Sequence, residues 1–391
     1  MLFIAVDDLN DWVGPLKGYP GVKTPNIDRL AKKGMTFKKA YCSAPACNPS
    51  RASLLTGVRP STSGVYHNSQ PWRNVLPDVV TLPQYFTANG YKVMGAGKIF
   101  HEPFEDSVSW PVKYEVPEFP KPEKVPVNGG ANFDWSPVNA TDEEMGDHKT
   151  VQRGIDFLQQ HHDKPFFLAI GLIRPHLPWY APQKYFDMYP LEKVMLPKVK
   201  PNDLDDLPPM GKIMANTIYG TVEVRKGLND HQFILENNQW KKAIQGYLAS
   251  ISFADAQIGR LLDALEKSNY NKNTIIIFFG DHGWHLGEKE HWRKFSLWEE
   301  SARVPFFVVI PGLTKPASVC ERTVNLMDIY PTLVSLCEFP KKPGLEANDI
   351  TPLLKNPKLA WNHPSLTTHG KNNHAVRTER WRYISYNDGG E

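Results

Sequence analysis

The 391-residue chain reads as an α/β sandwich: a central, mainly parallel sheet covered by helices on both faces, followed by the start of a small C-terminal subdomain. Three observations predict this class. Apolar, β-rich runs of strand length recur without alternation, as strands covered on both faces require. Helical patterns bounded by caps, prolines and glycines lie between them. Strands and helices therefore alternate, and that order folds into helix–sheet–helix layers.

The expected strands, in order, are "LFIAV" at 2–6, "KVMGAG" at 92–97, "FFLAIGLI" at 166–173, "TIIIFFG" at 274–280 and "VPFFVVI" at 304–310. Among the helices, "TPNIDRLAKKG" (24–34) opens with Thr24, puts Pro25 at the first helical position and stops at Gly34. "DVVTLPQYFTANG" (78–90) and the long segment 240–268 follow the same logic, and "PSRASLLTG" starts a helix just after Cys47. Residues 102–146, rich in proline and aromatics, and 181–238 interrupt the pattern. Loops of this length inside a compact domain are usually functional or disordered. After residue 340 the pattern changes, so 1–340 is expected to form the main α/β domain and 341–391 a partial C-terminal subdomain. There, "AVRTERWRYISY" (375–386) reads as one strand that ends at a turn without a returning partner, which suggests a chain cut short.

Composition excludes more than it assigns. A net charge of +3 with histidines neutral gives no global field for nucleic acid. No apolar run reaches the length of a membrane span, and "MLFIAV" reads as a buried strand rather than a leader. The prolines and tryptophans suit ordered loops around a polar ligand, with most tryptophans in the core. Cys42, Cys47, Cys320 and Cys337 lack a zinc spacing, and sequence leaves open whether Cys320 and Cys337 bridge.

Chemistry gathers at two strand ends. Asp7 and Asp8 follow the first strand, and Asp281 and His282 follow "TIIIFFG". In an open α/β sheet that edge binds ligands. Adjacent acids on an apolar strand are costly unless a cation holds them. Oxygen-dominated ligation points to Ca²⁺, with Mg²⁺ as the alternative. Cys47 sits at the start of a helix, where the amides and dipole favour an anion, and Arg51 follows one turn later.

Cys-X-Pro-X-Arg followed by "LLTG" is the signature of the type I sulfatases, and the chain resembles that family over nearly its whole length. The matching stretches are "FIAVDDLNDWVG", "TPNIDRLAKKG", "GVYHN", "GKIFH", "IRPHLPW", "GDHGWHLGE" and "VNLMDIYPTL". "GKIFH" and "DHGWHLGE" with "WRKFS" are most similar to the iduronate-2-sulfatase branch. The resemblance implies an alkaline-phosphatase-like fold and a maturation enzyme that oxidises Cys47 to formylglycine, an aldehyde whose hydrate is the nucleophile. It also implies a sulfated carbohydrate substrate, with a uronate 2-O-sulfate as the first guess, and a periplasmic or secreted location.

Carried over residue by residue, the resemblance makes Asp7, Asp8, Asp281, His282 and the oxygen derived from Cys47 the metal ligands. Arg51 supports the aldehyde hydrate. Lys98 and His101 flank it, with His101 as base. His176 and Lys294 hold the sulfate and meet the leaving oxygen. Arg174, Trp284 and His67 are expected to contact substrate. Two alternatives remain open: a phosphate or phosphonate monoester hydrolase using the same aldehyde, and a non-catalytic pseudo-sulfatase that binds sulfated glycans.

Overall fold

The computed structural model describes residues 1–130, 132–218 and 227–391. Fifteen strands lie among them, in chain order β1 (Leu2–Val6), β2 (Met35–Tyr41), β3 (Lys92–Gly97), β4 (Lys113–Tyr114), β5 (Trp135–Val138), β6 (Phe166–Leu172), β7 (Trp179–Pro182), β8 (Ile276–Gly280), β9 (His285–Leu286), β10 (Trp292–Arg293), β11 (Phe306–Val309), β12 (Ser318–Asn325), β13 (Ser365–Thr368), β14 (His374–Arg377) and β15 (Arg382–Ser385). Eight of them build the central sheet in the order β12-β2-β11-β8-β1-β6-β3-β4. All neighbours run parallel except β11, which is antiparallel to both β2 and β8.

The continuous apolar runs have a direct structural reason. Side chains alternate across a strand. Leu2, Ile4 and Val6 of β1 enter the core beneath one helical layer, and Phe3 and Ala5 enter the core on the opposite face. The first layer contains α1 (Pro25–Lys33), and the second contains α2 (Cys47–Thr56) and α3 (Leu82–Ala88). The first layer also holds α4 (Gly146–Leu158) and the 28-residue α5 (Trp240–Lys267), and the second adds α6 (Ile329–Leu336). Among the described residues, no helix is long and apolar enough to cross a membrane.

The structure corrects three expectations in detail. The helix expected over 78–90 is confined to α3, because Thr81 forms a capping box with Gln84 and Pro83 sits in the first turn. The single strand expected over 375–386 is a hairpin. Thr378 and Trp381 close its turn, through Thr378 N–H to the Trp381 carbonyl (2.9 Å) and Trp381 N–H to Thr378 Oγ1 (3.0 Å), so β14 pairs with both β13 and β15. The expected turn without a partner instead follows a strand that is itself the return. Two further strands of the main sheet, β2 and the edge strand β12, escape the apolar pattern, since Lys38, Lys39, Glu321 and Arg322 break their apolar character. All four cysteines are free thiols.

Candidate active site

β1 and β8 are adjacent, parallel and in register, with Val6 opposite Gly280. Their ends therefore deliver Asp7, Asp8, Asp281 and His282 to one place, all fully buried. The backbone is shaped to hold them there. Asp8 adopts φ 59°, a left-handed conformation that aspartate tolerates better than most residues. Tyr247 of α5 fixes that turn, donating its hydroxyl to the Asp8 carbonyl (2.7 Å) and accepting from Asn10 N–H (3.0 Å).

The N-terminus of α2 brings Cys47 into the same cluster. Its sulfur lies 3.0 Å from Lys294 Nζ and 3.3 Å from His282 Nε2, and the His101 imidazole lies against it. Burial opposes ionisation of this thiol, but the Lys294, Lys98 and His282 charges hold its pKa well below the ordinary value. Burial alone would also keep His282 neutral. Asp281, with help from the Cys47 thiolate, instead pushes its pKa up to about 9.

Each of the two leading aspartates divides its oxygens. Asp7 Oδ2 accepts from Lys98 Nζ, and Asp8 Oδ1 accepts from Lys294 Nζ (2.6 Å). The other pair, Asp7 Oδ1 and Asp8 Oδ2, are buried without a hydrogen-bond partner. Arg51 Nη2 lies 3.4 Å from Asp7 Oδ1, and His176 Nε2 lies 3.9 Å from Asp8 Oδ2. Leaving a buried carboxylate oxygen unsatisfied is costly, so these orphans mark a place for a cation. Donor atoms of Asp7, Asp8, Cys47 and His282 all lie within 4.8 Å of one another, a set that fits a divalent metal. Asp281 stands beside this set with its oxygens committed: Oδ1 accepts from the Asp8 and His282 amides, and Oδ2 accepts from Arg51 Nε (2.8 Å).

Arg51 fixes this architecture through Nε and Nη1, while its Nη2 is buried without a hydrogen-bond partner. Besides Asp281, its guanidinium holds the carbonyls of Lys98 (2.5 Å) and Ile99 (3.1 Å). Lys98 enters over Gly171, accepting no side chain beneath it: a Cβ on Gly171 would collide with the Lys98 carbonyl. Glycine is required at that crossing of β3 and β6.

The remaining expected residues divide by surroundings. His176 donates from Nδ1 to the Leu177 carbonyl (2.6 Å), which turns Nε2 toward Asp8. Arg174 is buried, with Nε on the Tyr180 carbonyl (3.0 Å) and Nη1 on the His176 carbonyl (2.7 Å), above the Phe119 ring. Its visible work is to hold the His176 loop. Trp284 is buried beneath the Lys294 ammonium, 5.4 Å from the ring centroid, as a cation–π support. His67 is exposed, on a loop whose His67 and Gln70 carbonyls accept from Asn48 Nδ2 next to Cys47.

Sequence reasoning missed the supports. Asp147 of α4 accepts from the amides of Ile173 (2.8 Å) and Arg174 (2.9 Å), and His291 donates from Nε2 to the Lys294 carbonyl (2.6 Å). Nothing in local spacing could have found Asp147 or Tyr247, whose partners are remote in sequence. Both long loops reach these supports: Phe119 lies under Arg174, and the Ala215 carbonyl lies 3.4 Å from His291 Nδ1.

The sulfatase family model matches residues 1–338. The chain belongs to the sulfatase family. By that membership it is a sulfuric ester hydrolase. A sulfatase of Formosa agariphila is 39% identical over 412 residues, an alignment that covers all of this chain and 79% of that protein. The iduronate 2-sulfatase of Mus musculus is 33% identical over 386 residues, covering 88% of this chain and 69% of the mouse protein. The solved phosphonate monoester hydrolase of Agrobacterium radiobacter superposes with a TM-score of 0.79 at 20% identity, over all of this chain and 87% of that one. That last likeness establishes the shared fold alone.

Proposed function

We propose that this sulfatase hydrolyses the sulfate monoester of an acidic sugar, first among them a uronate 2-O-sulfate, using a formylglycine formed from Cys47. The observation that carries the reading is the placement of the Cys47 side chain at a helix N-terminus, within reach of Lys294, His282 and His101 and beside two orphaned carboxylate oxygens. The similarity to iduronate 2-sulfatase supports the substrate class.

Asp7, Asp8, His282 and the group at position 47, with Asp281 beside them, would hold Ca²⁺ or Mg²⁺. The metal supplies Lewis acidity toward the sulfate oxygens, and formylglycine supplies an oxygen nucleophile that a thiol does not. The other side chains do the rest. A sulfate monoester is already an anion, and charge builds on its outer and leaving oxygens during displacement. Lys98 and Lys294 point their ammonium groups into the same buried volume and neutralise that charge where water is scarce. Arg51 adds charge beneath position 47 while locking Asp281 and the Lys98 carbonyl. His176, with Nδ1 committed to a carbonyl, carries the proton for the departing sugar oxygen on Nε2. His101, whose imidazole lies against position 47, is the base there.

Mass spectrometry of the Cys47 peptide, taken from protein made in a maturation-competent host, tests the reading together with turnover on a panel of sulfated saccharides. Expected are an aldehyde mass and sulfate release from a uronate 2-O-sulfate. An unmodified thiol with full turnover overturns the mechanism, and an aldehyde-bearing protein that cleaves phosphonate esters in preference overturns the substrate class.

A further inference from the structure

The edge of the central sheet carries a second cleft, of about 510 Å³, that shares no residue with the cluster around Cys47. Its floor is the edge strand β12 at Arg322 and Thr323. One wall is the stretch 360–364, and the other is the β14–β15 turn at 378–381. Arg322 ties the two walls together. Its Nε and Nη2 donate to the carbonyls of Leu359 and Lys358 (2.7 Å each), and its Nη1 donates to Glu379 Oε1 (2.6 Å). Trp361 Nε1 donates to the Thr323 carbonyl (3.0 Å), and Lys39 Nζ of the neighbouring β2 donates to the Glu379 carbonyl (2.8 Å). A ligand therefore meets walls that are already ordered, which lowers the entropic cost of binding.

What the cleft presents is aromatic and cationic. Trp381 is 68% exposed at the turn, and on the other wall the Trp361 and His363 rings lie 4.4 Å apart. The Arg380 guanidinium lies 5.4 Å from the Trp381 ring centroid, and among the described residues no hydrogen bond or ion pair holds it. Since Arg322 and Glu379 pair with each other, Arg380 leaves the cleft with a net positive charge. Open aromatic faces suit the C–H face of a sugar ring, and a guanidinium suits a sulfate or carboxylate on it.

The position of the cleft gives it a use. β11 is antiparallel to both β2 and β8, and β12 is parallel to β2, so β2, β8 and β12 all point the same way. Thr323 stands two residues before the end of β12, on the rim that bears Asp281 and His282 at the end of β8. β12 is three strands from β8, about 14 Å at the usual strand spacing of about 4.8 Å. One sugar is too short to touch both places, whereas a polymer lying along the rim reaches them together.

We infer that the Trp361–Trp381 cleft is a non-catalytic glycan site that anchors a sulfated polysaccharide at the sheet edge while another of its units occupies the Cys47 pocket. This rests on the proposed sulfatase function and deepens it, because it makes the substrate a polymer and gives the C-terminal sheet a binding role remote from the chemistry.

Calorimetric titration of the full-length Cys47→Ala protein tests the inference without turnover. The probes are heparin as a polymer of 2-O-sulfated uronate units, its 2-O-sulfated disaccharide, and poly-L-glutamate as a polyanion without sugar. Trp381→Ala is expected to weaken heparin about 10-fold, the scale of one lost stacking face, with part recovered in Trp381→Phe. Arg380→Gln is expected to weaken it about 3-fold, as for one exposed charge pair. Disaccharide affinity is expected to stay within two-fold throughout, and poly-L-glutamate to be indifferent to Trp381. Unchanged heparin affinity in either variant overturns the site. A parallel loss of disaccharide binding also overturns it, as an effect passed through the fold, and an equal loss with poly-L-glutamate overturns it as a plain charge patch. A parent that binds heparin no more tightly than the disaccharide overturns the site and leaves the proposed function standing. A wild-type, aldehyde-bearing protein that holds heparin through Trp381 and releases no sulfate does the reverse.

Discussion

Asp8 and Asp11 are three residues apart, yet they stand in different chemistry. Asp8 belongs to the buried cluster at the strand ends. Asp11 lines a neighbouring cavity of about 430 Å³ with Glu288, Glu299, Glu300 and Arg303. By count of acids the second region is the richer. In it, however, the carboxylates are satisfied by the protein: Asp11 pairs with Arg303 (3.1 Å), Glu288 caps the Leu286 amide (2.7 Å), Glu299 holds Arg382 and the Tyr41 hydroxyl, and Glu300 lies 3.3 Å from His285. Burial there also pushes Asp11 up to about 6 and Glu288 up to about 7. In the first region, Lys98 and Arg51 hold the Asp7 carboxyl well below the usual range against burial and the Cys47 charge, and two oxygens are left open, which is what a metal and an anionic ester require. A cluster of acids becomes a site through its unpaired atoms and its cations.

Asp8→Asn should separate the regions most sharply. It removes an orphaned anionic oxygen and the Lys294 partner together, so calcium binding by calorimetry and sulfate release should both fall, the latter by about 10³-fold or more. Asp11→Asn should leave calcium affinity within two-fold. Equal loss in the two variants would mean that the metal is shared between the regions.

Lys294→Met comes next. Turnover should fall about 10²-fold, the usual scale for one charge-stabilising donor. Calcium should bind more tightly to the variant, because Asp8 Oδ1 no longer faces a competing ammonium. Weaker calcium binding would show that Lys294 organises the cluster rather than opposing the metal. Gly171→Ala is a milder version on the other side. The new Cβ displaces the Lys98 carbonyl that Arg51 grips, so turnover should drop by up to about 10²-fold, as for a misplaced catalytic group, with calcium affinity nearly intact.

These variants also show where sequence was sufficient. The strand ends and the Cys47–Arg51 helix were legible because each is local: an apolar run ending in acids, or a cysteine one turn from an arginine. Gly171, Asp147 and Tyr247 were not, because their roles arise from contacts between segments that only folding brings together, such as Tyr247 with Asp8. Arg174 and Trp284 show the converse. Their residue types suggested substrate contacts, while burial gives them visible work under the His176 loop and the Lys294 ammonium. The charged strands β2 and β12 were obscured for a related reason, since the long stems of Lys38 and Lys39 can lie against protein while their heads reach carbonyls, at Pro15 and Glu379.

The smallest effect is on stability and concerns the second region alone. Burial raises the Glu288 pKa to about 7, against the opposing His285 charge and with help from Glu300. Its unfolded value is about 4.3. Between those two values the folded chain binds more protons than the unfolded one, so stability declines as pH rises through this window. Above pH 7 the full cost is present, and below about pH 4 it vanishes. Glu288→Gln keeps an oxygen for the Leu286 amide and removes the charge. The variant should therefore match the parent in denaturant melts near pH 4 and exceed it by about 1–3 kcal/mol at pH 8. Calcium affinity should be unchanged. A variant less stable than the parent at pH 8 would mean that Glu288 is held as an anion by a cation, which would make the two acidic regions chemically alike.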